Sequence, residues 1–218
     1  MQKLFIDFEP DGQVTLNEEQ SRHIAKSLRM RKGDMLTLTS GNGNDYGCII
    51  ENTNGGLVTL SVCYKQANNS EPSVKVTLYQ GVPKSSKLED VIQKCTELGI
   101  SAICPTLTNR SVSRPDEKSA KKKKQRYEKI ALEAAQQSGR GIVPEIMDMT
   151  SLEKAVKNDD SELKILFYEG GGESLKSMIN QDIKSVSIYI GPEGGFEEKE
   201  VELIKASGGK IASLGPRI

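Results

Sequence analysis

The spacing of hydrophobic residues changes character near residue 70 of the chain. Before that point, short runs of β-branched and aromatic residues are bounded by the turn clusters GNGND and NTNGG. This pattern predicts strands over KLFIDF, DMLTLTS, YGCIIEN and GLVTLSVCY. One stretch has a helical period instead: it begins at Glu18, continues through Ile24 and Leu28, and stops at Gly33. Residues 1–70 therefore predict a small β-barrel with one inserted helix, and the polar segment 66–73 predicts a linker.

Strands alternate with helices after residue 74. Apolar runs predict strands in VKVTLYQG, SAICP, LKILFYEGGG, SVSIYIGPEGGF and KIASLGPRI, and helical spacing predicts helices between them, the longest over residues 118–138 and the last over 197–206. Such alternation is typical of a parallel sheet with helices on both faces, in which ligands bind at the carboxyl ends of the strands. Residues 74–218 are thus predicted to form one α/β domain.

Three of these strands run directly into loops that contain glycine, YEGGGES, IGPEGGF and LGPRI. Glycine allows backbone amides and carbonyls to approach a ligand closely, so three such loops at one sheet edge predict a pocket for a nucleoside-like ligand. The chain has neither the GxGxxG nor the GxxxxGK[ST] fingerprint, which disfavours a dinucleotide fold and a P-loop. In IGPEGGF, Glu193 is held at a strand end, where its carboxylate either orients a substrate, accepts a proton or only caps the turn.

Charge is balanced over the whole chain, with 30 Lys and Arg against 30 Asp and Glu, but it is distributed unevenly. Residues 75–141 contain 14 basic and seven acidic side chains by count along the sequence. This excess predicts either a surface that binds a polyanion or an ordinary solvated helix face.

Other features exclude several classes of protein. The four cysteines lack a CxxC pair and only one histidine, His23, is present, which makes a metal site improbable. No apolar run approaches the roughly 18 residues of a membrane span, and the acidic start of the chain does not resemble a signal peptide. We therefore expect a cytoplasmic protein with reduced thiols and no membrane partner.

Six stretches of the sequence together resemble the RsmE family of SPOUT-class methyltransferases. They are RHIAKSLRMRKGD (22–34), IQKCTELGISAICP (92–105), NRSVSR (109–114), EAAQQSGRGIVPEI (133–146), GPEGGF (191–196) and LGPRI (214–218). The resemblance implies an N-terminal PUA-like RNA-binding β-barrel domain (1–70) and a C-terminal SPOUT α/β domain (74–218) with a trefoil knot that forms a homodimer. It also implies S-adenosylmethionine as cofactor and methylation of ring nitrogen 3 of a uridine in 16S ribosomal RNA of the small ribosomal subunit.

The same resemblance assigns roles to individual residues. Cofactor binding is expected at the strand-end loops, through Tyr168, Glu169, Gly191, Pro192, Gly194, Gly195, Leu214, Gly215, Pro216 and Ile218. The uracil nitrogen must lose a proton, and either Glu193 or solvent accepts it. Arg110, Arg114 and Arg140 are candidates to stabilise charge on the uracil oxygens, although Arg140 also fits a helix-end charge. RNA contacts are expected from Arg22, Arg29, Arg31, Lys32, Arg114, Lys121, Lys122 and Lys124.

Two alternatives to this function stay open at the level of sequence. One is a SPOUT methyltransferase that acts on transfer RNA, and the other is a non-catalytic RNA-binding or ribosome-assembly protein. Members of the resembled family usually continue beyond LGPRI with an arginine-threonine-glutamate stretch and a final helix. We therefore expect a C-terminal tail to be missing from this sequence.

Overall fold

A computed structural model describes residues 2–53, 56–179 and 182–213 of the chain. Within these residues the chain divides into two compact units. The first unit contains residues up to 71 together with 135–143, and the second contains residues 72–134 and those from 144 onward. Residues 135–143, which the sequence analysis assigns to the second domain, therefore group with the first unit.

The first unit is built on a five-stranded sheet. Its strands are β1 (Gln2–Phe5), β2 (Gln13–Thr15), β3 (Met35–Thr39), β4 (Asn44–Asn52) and β5 (Thr59–Ala67), in the spatial order β1-β3-β4-β5-β2. Among the described strands of this sheet, β1 and β3 pair in parallel, and the other three pairs are antiparallel. Alternate side chains of the strands form one hydrophobic core, which includes Leu36, Leu38, Cys48, Ile50 and Leu60.

The helix between β2 and β3 differs from the continuous helix that the sequence predicts. Asn17 caps α1 (Glu18–Arg22) by accepting a hydrogen bond from the Gln20 amide at 2.9 Å. The next five residues, His23–Ser27, form a π-helical turn in which the Leu28 amide bonds to the His23 carbonyl, five residues back. Arg29 then adopts a left-handed conformation, with φ of 54°, which ends the helix before Gly33.

The second unit is built on an eight-stranded sheet in which every described pair of strands is parallel, as the alternation of strands and helices predicts. The strands are β6 (Lys75–Gly81), β7 (Ala102–Leu107), β8 (Glu145–Ile146), β9 (Thr150–Ser151), β10 (Leu163–Phe167), β11 (Glu173–Ser174), β12 (Ser185–Ile190) and β13 (Lys210–Ser213). Their order is β11-β13-β10-β12-β6-β7-β8, and β9 pairs with β7. The carboxyl ends of β10, β12, β6 and β7 consequently follow one another along one edge.

Helices connect these strands. They are α2 (Lys87–Glu97), α3 (Glu117–Ser138), α4 (Leu152–Asn158), α5 (Leu175–Met178) and α6 (Glu198–Ala206). The observed bounds of α3 and α6 lie within one residue of the predicted ones, whereas the pattern of apolar residues does not predict α4, α5 or the two-residue strands. Their few residues carry too little periodicity to be detected.

Two aromatic rings and a buried carboxylate lie in the middle of the second sheet. Tyr79 of β6 and Tyr189 of β12 are register partners, and their rings stack with centroids 4.7 Å apart. The Tyr189 hydroxyl donates a 2.7 Å hydrogen bond to Asp159, which follows α4, and the Ser187 hydroxyl donates to the same carboxylate oxygen. Since these donors favour the charged carboxylate, their bonds outweigh burial and keep the pKa of Asp159 below its ordinary value.

Candidate active site

The carboxyl edge of the parallel sheet carries the loops that the sequence analysis singles out. Residues 168–172 follow β10 and residues 191–197 follow the neighbouring strand β12, so two of the three glycine-containing loops are adjacent. The third loop follows β13, which pairs with β10 on its other side. Its residues Leu214, Gly215, Pro216 and Ile218 lie outside the described residues.

A pocket lies between these loops. It is lined by Phe167, Tyr168, Glu169, Ile190, Gly191, Pro192, Glu193, Gly195, Phe196 and Ser213. Five of the predicted cofactor-binding residues are among them: Tyr168, Glu169, Gly191, Pro192 and Gly195. Sequence reasoning did not single out Phe167, Ile190 and Phe196, which give the pocket its apolar surface. Phe167 and Ile190 are register partners at the ends of β10 and β12, so strand-end position is the signal that identifies them.

At two positions in or beside this pocket, close packing favours glycine over a residue with a Cβ. Gly195 has a φ of 69°, and a Cβ there would lie 3.3 Å from the Glu169 carboxylate. At Gly81, the end of β6, a Cβ would lie 2.5 Å from Cδ of Pro192. The side-chain amide of the buried Gln80 donates hydrogen bonds to the carbonyl of Gly191 at 3.3 Å and to the carbonyl of Gly81 at 3.0 Å. The 191–197 loop is thus fixed against β6 by close packing and by hydrogen bonds.

Glu193 is held by the segment that precedes α2. Its carboxylate accepts hydrogen bonds from the Lys84 amide, at 3.2 and 3.3 Å, and forms a 3.0 Å ion pair with Lys87. A hydrogen bond from its own backbone N–H, and then the contact with Lys87, hold the pKa of Glu193 below its ordinary value. Both contacts favour the charged carboxylate, so Glu193 is a weak proton acceptor at neutral pH.

Arg110 and Arg114 lie in the loop that follows β7. The Arg110 guanidinium is exposed and donates a 2.6 Å hydrogen bond to the carbonyl of Gly194. The exposed Arg114 guanidinium donates at 2.8 Å to the carbonyl of Thr108 in its own loop. Arg110, Gly194 and the pocket-lining Glu193 therefore come together at the same sheet edge. Gly194 contributes its carbonyl to this contact and does not line the pocket itself.

Arg140, the third predicted catalytic arginine, belongs to the first unit and is only 4% exposed. Its guanidinium contacts the Glu71 carboxylate through Nη2 at 2.5 Å and Nε at 3.3 Å. The same carboxylate accepts hydrogen bonds from the amides of Gly141 and Ile142. Arg140 thus belongs to the first unit, whereas Arg110 and Glu193 belong to the second.

The residues predicted to contact RNA are surface residues of the two units. Arg22, Arg29, Arg31 and Lys32 are exposed around the end of the first helix of the first unit. On α3, Lys121 pairs with Glu117 at 2.7 Å, Lys124 pairs with Asp148 at 2.8 Å, and Lys122 is exposed. Two of the three lysines are therefore partly neutralised by neighbouring carboxylates, which reduces the positive field of this helix.

Within residues 2–53, 56–179 and 182–213, no three His, Cys, Asp or Glu side chains lie close enough to hold a metal ion. None of the helices in these residues combines the length and apolar composition that crossing a membrane requires.

Comparison with known proteins shows which class of protein this chain belongs to. The profile of an RNA methyltransferase domain matches residues 69–218, and that of an RNA methyltransferase PUA domain matches residues 16–63. A protein of Legionella pneumophila, solved in complex with the bound cofactor SAM, superposes with a TM-score of 0.90 at 28% identity. The alignment covers 99% of this chain and 90% of that one. The two units thus have the architecture of an RNA methyltransferase with a PUA domain.

Full-length relatives narrow this class. Ribosomal RNA small subunit methyltransferase E of Bacillus subtilis strain 168 is 36% identical over all of this chain and 90% of its own length. The protein of the same name from Synechocystis is 29% identical over 95% of this chain and 68% of its own. The chain belongs to the ribosomal RNA small subunit methyltransferase E family, and it is an RNA methyltransferase.

Proposed function

We propose that the protein methylates ring nitrogen 3 of a uridine in 16S ribosomal RNA of the small ribosomal subunit, with S-adenosylmethionine as methyl donor. The observation that carries this proposal is the pocket formed by the glycine-containing loops that follow the adjacent strands β10 and β12. The proposal is also supported by the family to which the chain belongs, by the names of its relatives and by the cofactor in the Legionella structure. They favour this substrate over transfer RNA, and enzymatic activity over simple RNA binding.

The residues of the pocket fit S-adenosylmethionine. Apolar side chains at Phe167, Ile190 and Phe196 suit an adenine ring, and main chain at Gly191 and Gly195 can approach a ligand without a Cβ in the way. Glu169, exposed at the rim, supplies a carboxylate to the polar part of the ligand. Bound there, S-adenosylmethionine supplies a methyl group on a positively charged sulfur. The loop 214–218 is proposed to complete the site on the evidence of the resemblance.

The chain's own residues have two tasks in this reaction. The N3 proton of the uracil must leave, and negative charge that develops on the uracil oxygens must be stabilised. We assign this stabilisation to Arg110, whose exposed guanidinium is held by the Gly194 carbonyl beside the pocket, and to Arg114, which lies in the same loop and is exposed. Because the pKa of Glu193 is lowered, we assign the proton to solvent and give Glu193 the task of orienting the neighbouring loop.

We assign Arg140 a structural role. The Arg140 guanidinium is buried and paired with Glu71, and releasing it to meet a substrate would leave that half-buried carboxylate without its cation. This assignment replaces the expectation of a catalytic Arg140. The alternative explanation of Arg140, a charge near the end of a helix, agrees with its place directly after Gly139.

Further properties are proposed from the resemblance. The five-stranded sheet is proposed to be a PUA-like barrel that binds RNA with Arg22, Arg29, Arg31 and Lys32. The second unit is proposed to contain the trefoil knot and to form a homodimer. An enzyme that acts on ribosomal subunits is expected in the cytoplasm.

The experiment that tests the proposed function compares three substrates. The protein is incubated with methyl-labelled S-adenosylmethionine and with small ribosomal subunits, naked 16S ribosomal RNA or transfer RNA. Label in 3-methyluridine from the small subunit or its RNA is expected. Label in transfer RNA alone would favour the first alternative, and RNA binding without label would favour the non-catalytic one. Light scattering of the same sample tests the homodimer.

A further inference from the structure

A buried carboxylate lies where two loops of the candidate site meet. Glu200, in the first turn of α6, is 5% exposed. Its Oε1 accepts a 2.8 Å hydrogen bond from the amide of Asn109, and its Oε2 accepts a 2.9 Å bond from the amide of Glu197. One oxygen therefore binds the loop 108–114, which we call the arginine loop. The other binds the end of the loop 191–197, which we call the cofactor loop.

Two more hydrogen bonds join the same loops. The side-chain amide of Asn109 donates to Glu197 Oε2 at 2.8 Å, and Arg110 Nη1 donates to the Gly194 carbonyl at 2.6 Å. The arginine loop is itself compact, because the buried hydroxyl of Ser111 accepts a 3.0 Å bond from the Thr108 amide. A displacement of this loop at Asn109 would therefore move Arg110 with it.

Helix capping alone does not account for the burial of Glu200. In a capping box the carboxylate of Glu200 needs to accept only one hydrogen bond, from the amide of Glu197, and an exposed side chain can do so. Burying a carboxylate is unfavourable unless its oxygens are hydrogen-bonded, and here the second oxygen is satisfied by a strand-end loop 91 residues away in sequence. The bond to Asn109 is what makes this buried position acceptable.

We propose that Glu200 is a positioning residue that couples the arginine loop to the cofactor loop. It sets the place of Arg110 relative to the methyl-donor pocket by binding the backbone of both loops. This inference rests on the proposed function, to which it adds a residue that acts through Arg110 and touches neither substrate nor cofactor. Catalysis depends steeply on such placement, since a shift of about 1 Å can cost about a hundredfold in rate.

Glu200→Gln is the sharpest variant for a test. The two oxygens of Glu200 each accept from a backbone N–H, whereas glutamine has one oxygen and an NH₂ group that only donates. Glutamine of nearly the same shape must therefore place a donor against a donor in one of the two contacts. Glu198→Gln is the matched control, because it removes a carboxylate from the same first turn at an exposed position.

Hydrogen exchange read by mass spectrometry measures the coupling without any turnover. We expect faster amide exchange in both 108–111 and 194–197 in Glu200→Gln, and wild-type exchange in Glu198→Gln. Faster exchange in 194–197 alone would reduce Glu200 to a helix cap and overturn the proposal. If Glu200→Gln does not fold, Glu200→Asp serves instead, since its carboxylate keeps the charge but is one methylene too short to reach both backbone amides. The same two segments should then exchange faster, and faster exchange in 194–197 alone would overturn the proposal.

A double-mutant cycle with Arg110→Ala connects the coupling to the reaction. For Glu200→Gln we expect kcat to fall by about tenfold with the KM for RNA nearly unchanged, because positioning acts on the transition state. In the Arg110→Ala background the same substitution should cost less than about twofold, since its effect passes through Arg110. Equal losses in the two backgrounds would overturn the proposal. If the wild-type protein methylates no RNA, the proposed function fails, and the exchange measurements still decide whether the loops are coupled.

Discussion

Glu71 and Arg140 form an ion pair between two segments of the first unit that are 69 residues apart in sequence, with the guanidinium buried and the carboxylate half-buried. Two nitrogens of the guanidinium contact the two carboxylate oxygens, and one of these oxygens also accepts from the amides of Gly141 and Ile142. Residues 135–143 are thereby fixed to the first unit. Glu71 belongs to the polar segment 66–73, which the sequence predicts to be a linker, and the boundary between the two units falls directly after it.

Removal of one partner of this pair should destabilise the protein. Arg140→Ala leaves the Glu71 carboxylate without its cation, and breaking a buried pair in this way costs about 3–5 kcal/mol when burial is complete. Since the Glu71 side chain is 23% exposed, we expect about 2–3 kcal/mol by urea unfolding. Lys205→Ala, at an exposed pair on α6, is the control and should cost less than about 1 kcal/mol. A loss in Arg140→Ala no larger than in the control would contradict the structural role.

The same carboxylate predicts a dependence of stability on pH. Burial raises the pKa of Glu71, but the hydrogen bond and charge of Arg140 and the amides of Gly141 and Ile142 together lower it further, so the folded-state pKa lies below the ordinary value. A depressed pKa contributes stability above the unfolded-state value of about 4.3, and this contribution is lost as pH falls through the folded-state pKa. We expect unfolding midpoints to decrease below about pH 4, and to decrease less in Glu71→Gln. Parallel acid profiles would disprove the linkage to Glu71.

The pocket makes a prediction at Gly195. Gly195→Val places a branched side chain at a φ of 69°, with its Cβ 3.3 Å from the Glu169 carboxylate, and should abolish binding of S-adenosylmethionine in calorimetry. Gly208→Val is the control, because Gly208 has a φ of 87° and open space around its Cβ position. The control carries the same kind of backbone strain outside the pocket and should bind the cofactor normally. Unchanged affinity in folded Gly195→Val would remove the cofactor loop from the site.

The lysines of α3 predict a salt-dependent contribution to RNA binding. Reversing the charge of Lys121, Lys122 and Lys124 together should weaken binding and flatten the dependence of log Kd on log salt, if these lysines release phosphate counterions. Because Lys121 and Lys124 are paired with carboxylates, we expect Lys122→Glu alone to give at least a third of the effect. Reversal of the exposed Lys94, Lys157 and Lys176 serves as the control. If log Kd depends on log salt with the same slope in the α3 triple variant and in the wild type, this helix face does not bind RNA and is an ordinary solvated surface.

The buried hydroxyl of Tyr189 makes a prediction for the middle of the sheet. Tyr189→Phe removes a donor to Asp159 and leaves a buried carboxylate underbonded, which should cost about 1–3 kcal/mol in thermal unfolding. Tyr79→Phe is matched to it, since both rings remain stacked and Asp159 takes its bonds from Ser187, Tyr189 and Ser161. Equal losses of thermal stability in the two variants would show that the hydrogen bond from Tyr189 to Asp159 does not contribute to stability.

The spacing of apolar residues was sufficient to predict the longer helices and strands, in which that spacing repeats several times. The helix α3 was predicted within one residue of its observed start at Glu117, and the parallel sheet followed from the alternation of strands and helices. The two-residue strands, α4 and the π-helical turn at His23–Ser27 could not be predicted, because tertiary pairing and packing decide them rather than local preference.

The site was predictable only as far as it consists of strand ends and glycines. The loops after β10 and β12 meet because the carboxyl ends of parallel strands lie at the same edge of a sheet. The sequence pattern predicts this parallel arrangement. Glu200 was missed, although Glu197 and Glu200 have the three-residue spacing of a capping box, since its burial depends on Asn109 from another strand end. The partner of Arg140 could not be predicted for the same reason, because Glu71 is remote in sequence.

The first unit is discontinuous along the chain, and this has a consequence for synthesis. Lys3, near the amino terminus, donates to the carbonyls of Gly139 and Arg140, and Glu71 binds the amides of Gly141 and Ile142. A nascent chain of 71 residues therefore holds the whole sheet but none of these partners. Domains usually complete folding as they emerge, amino-terminal first. Here the first unit is completed only after translation has passed residue 143, by which time the first strands of the second unit have already been made.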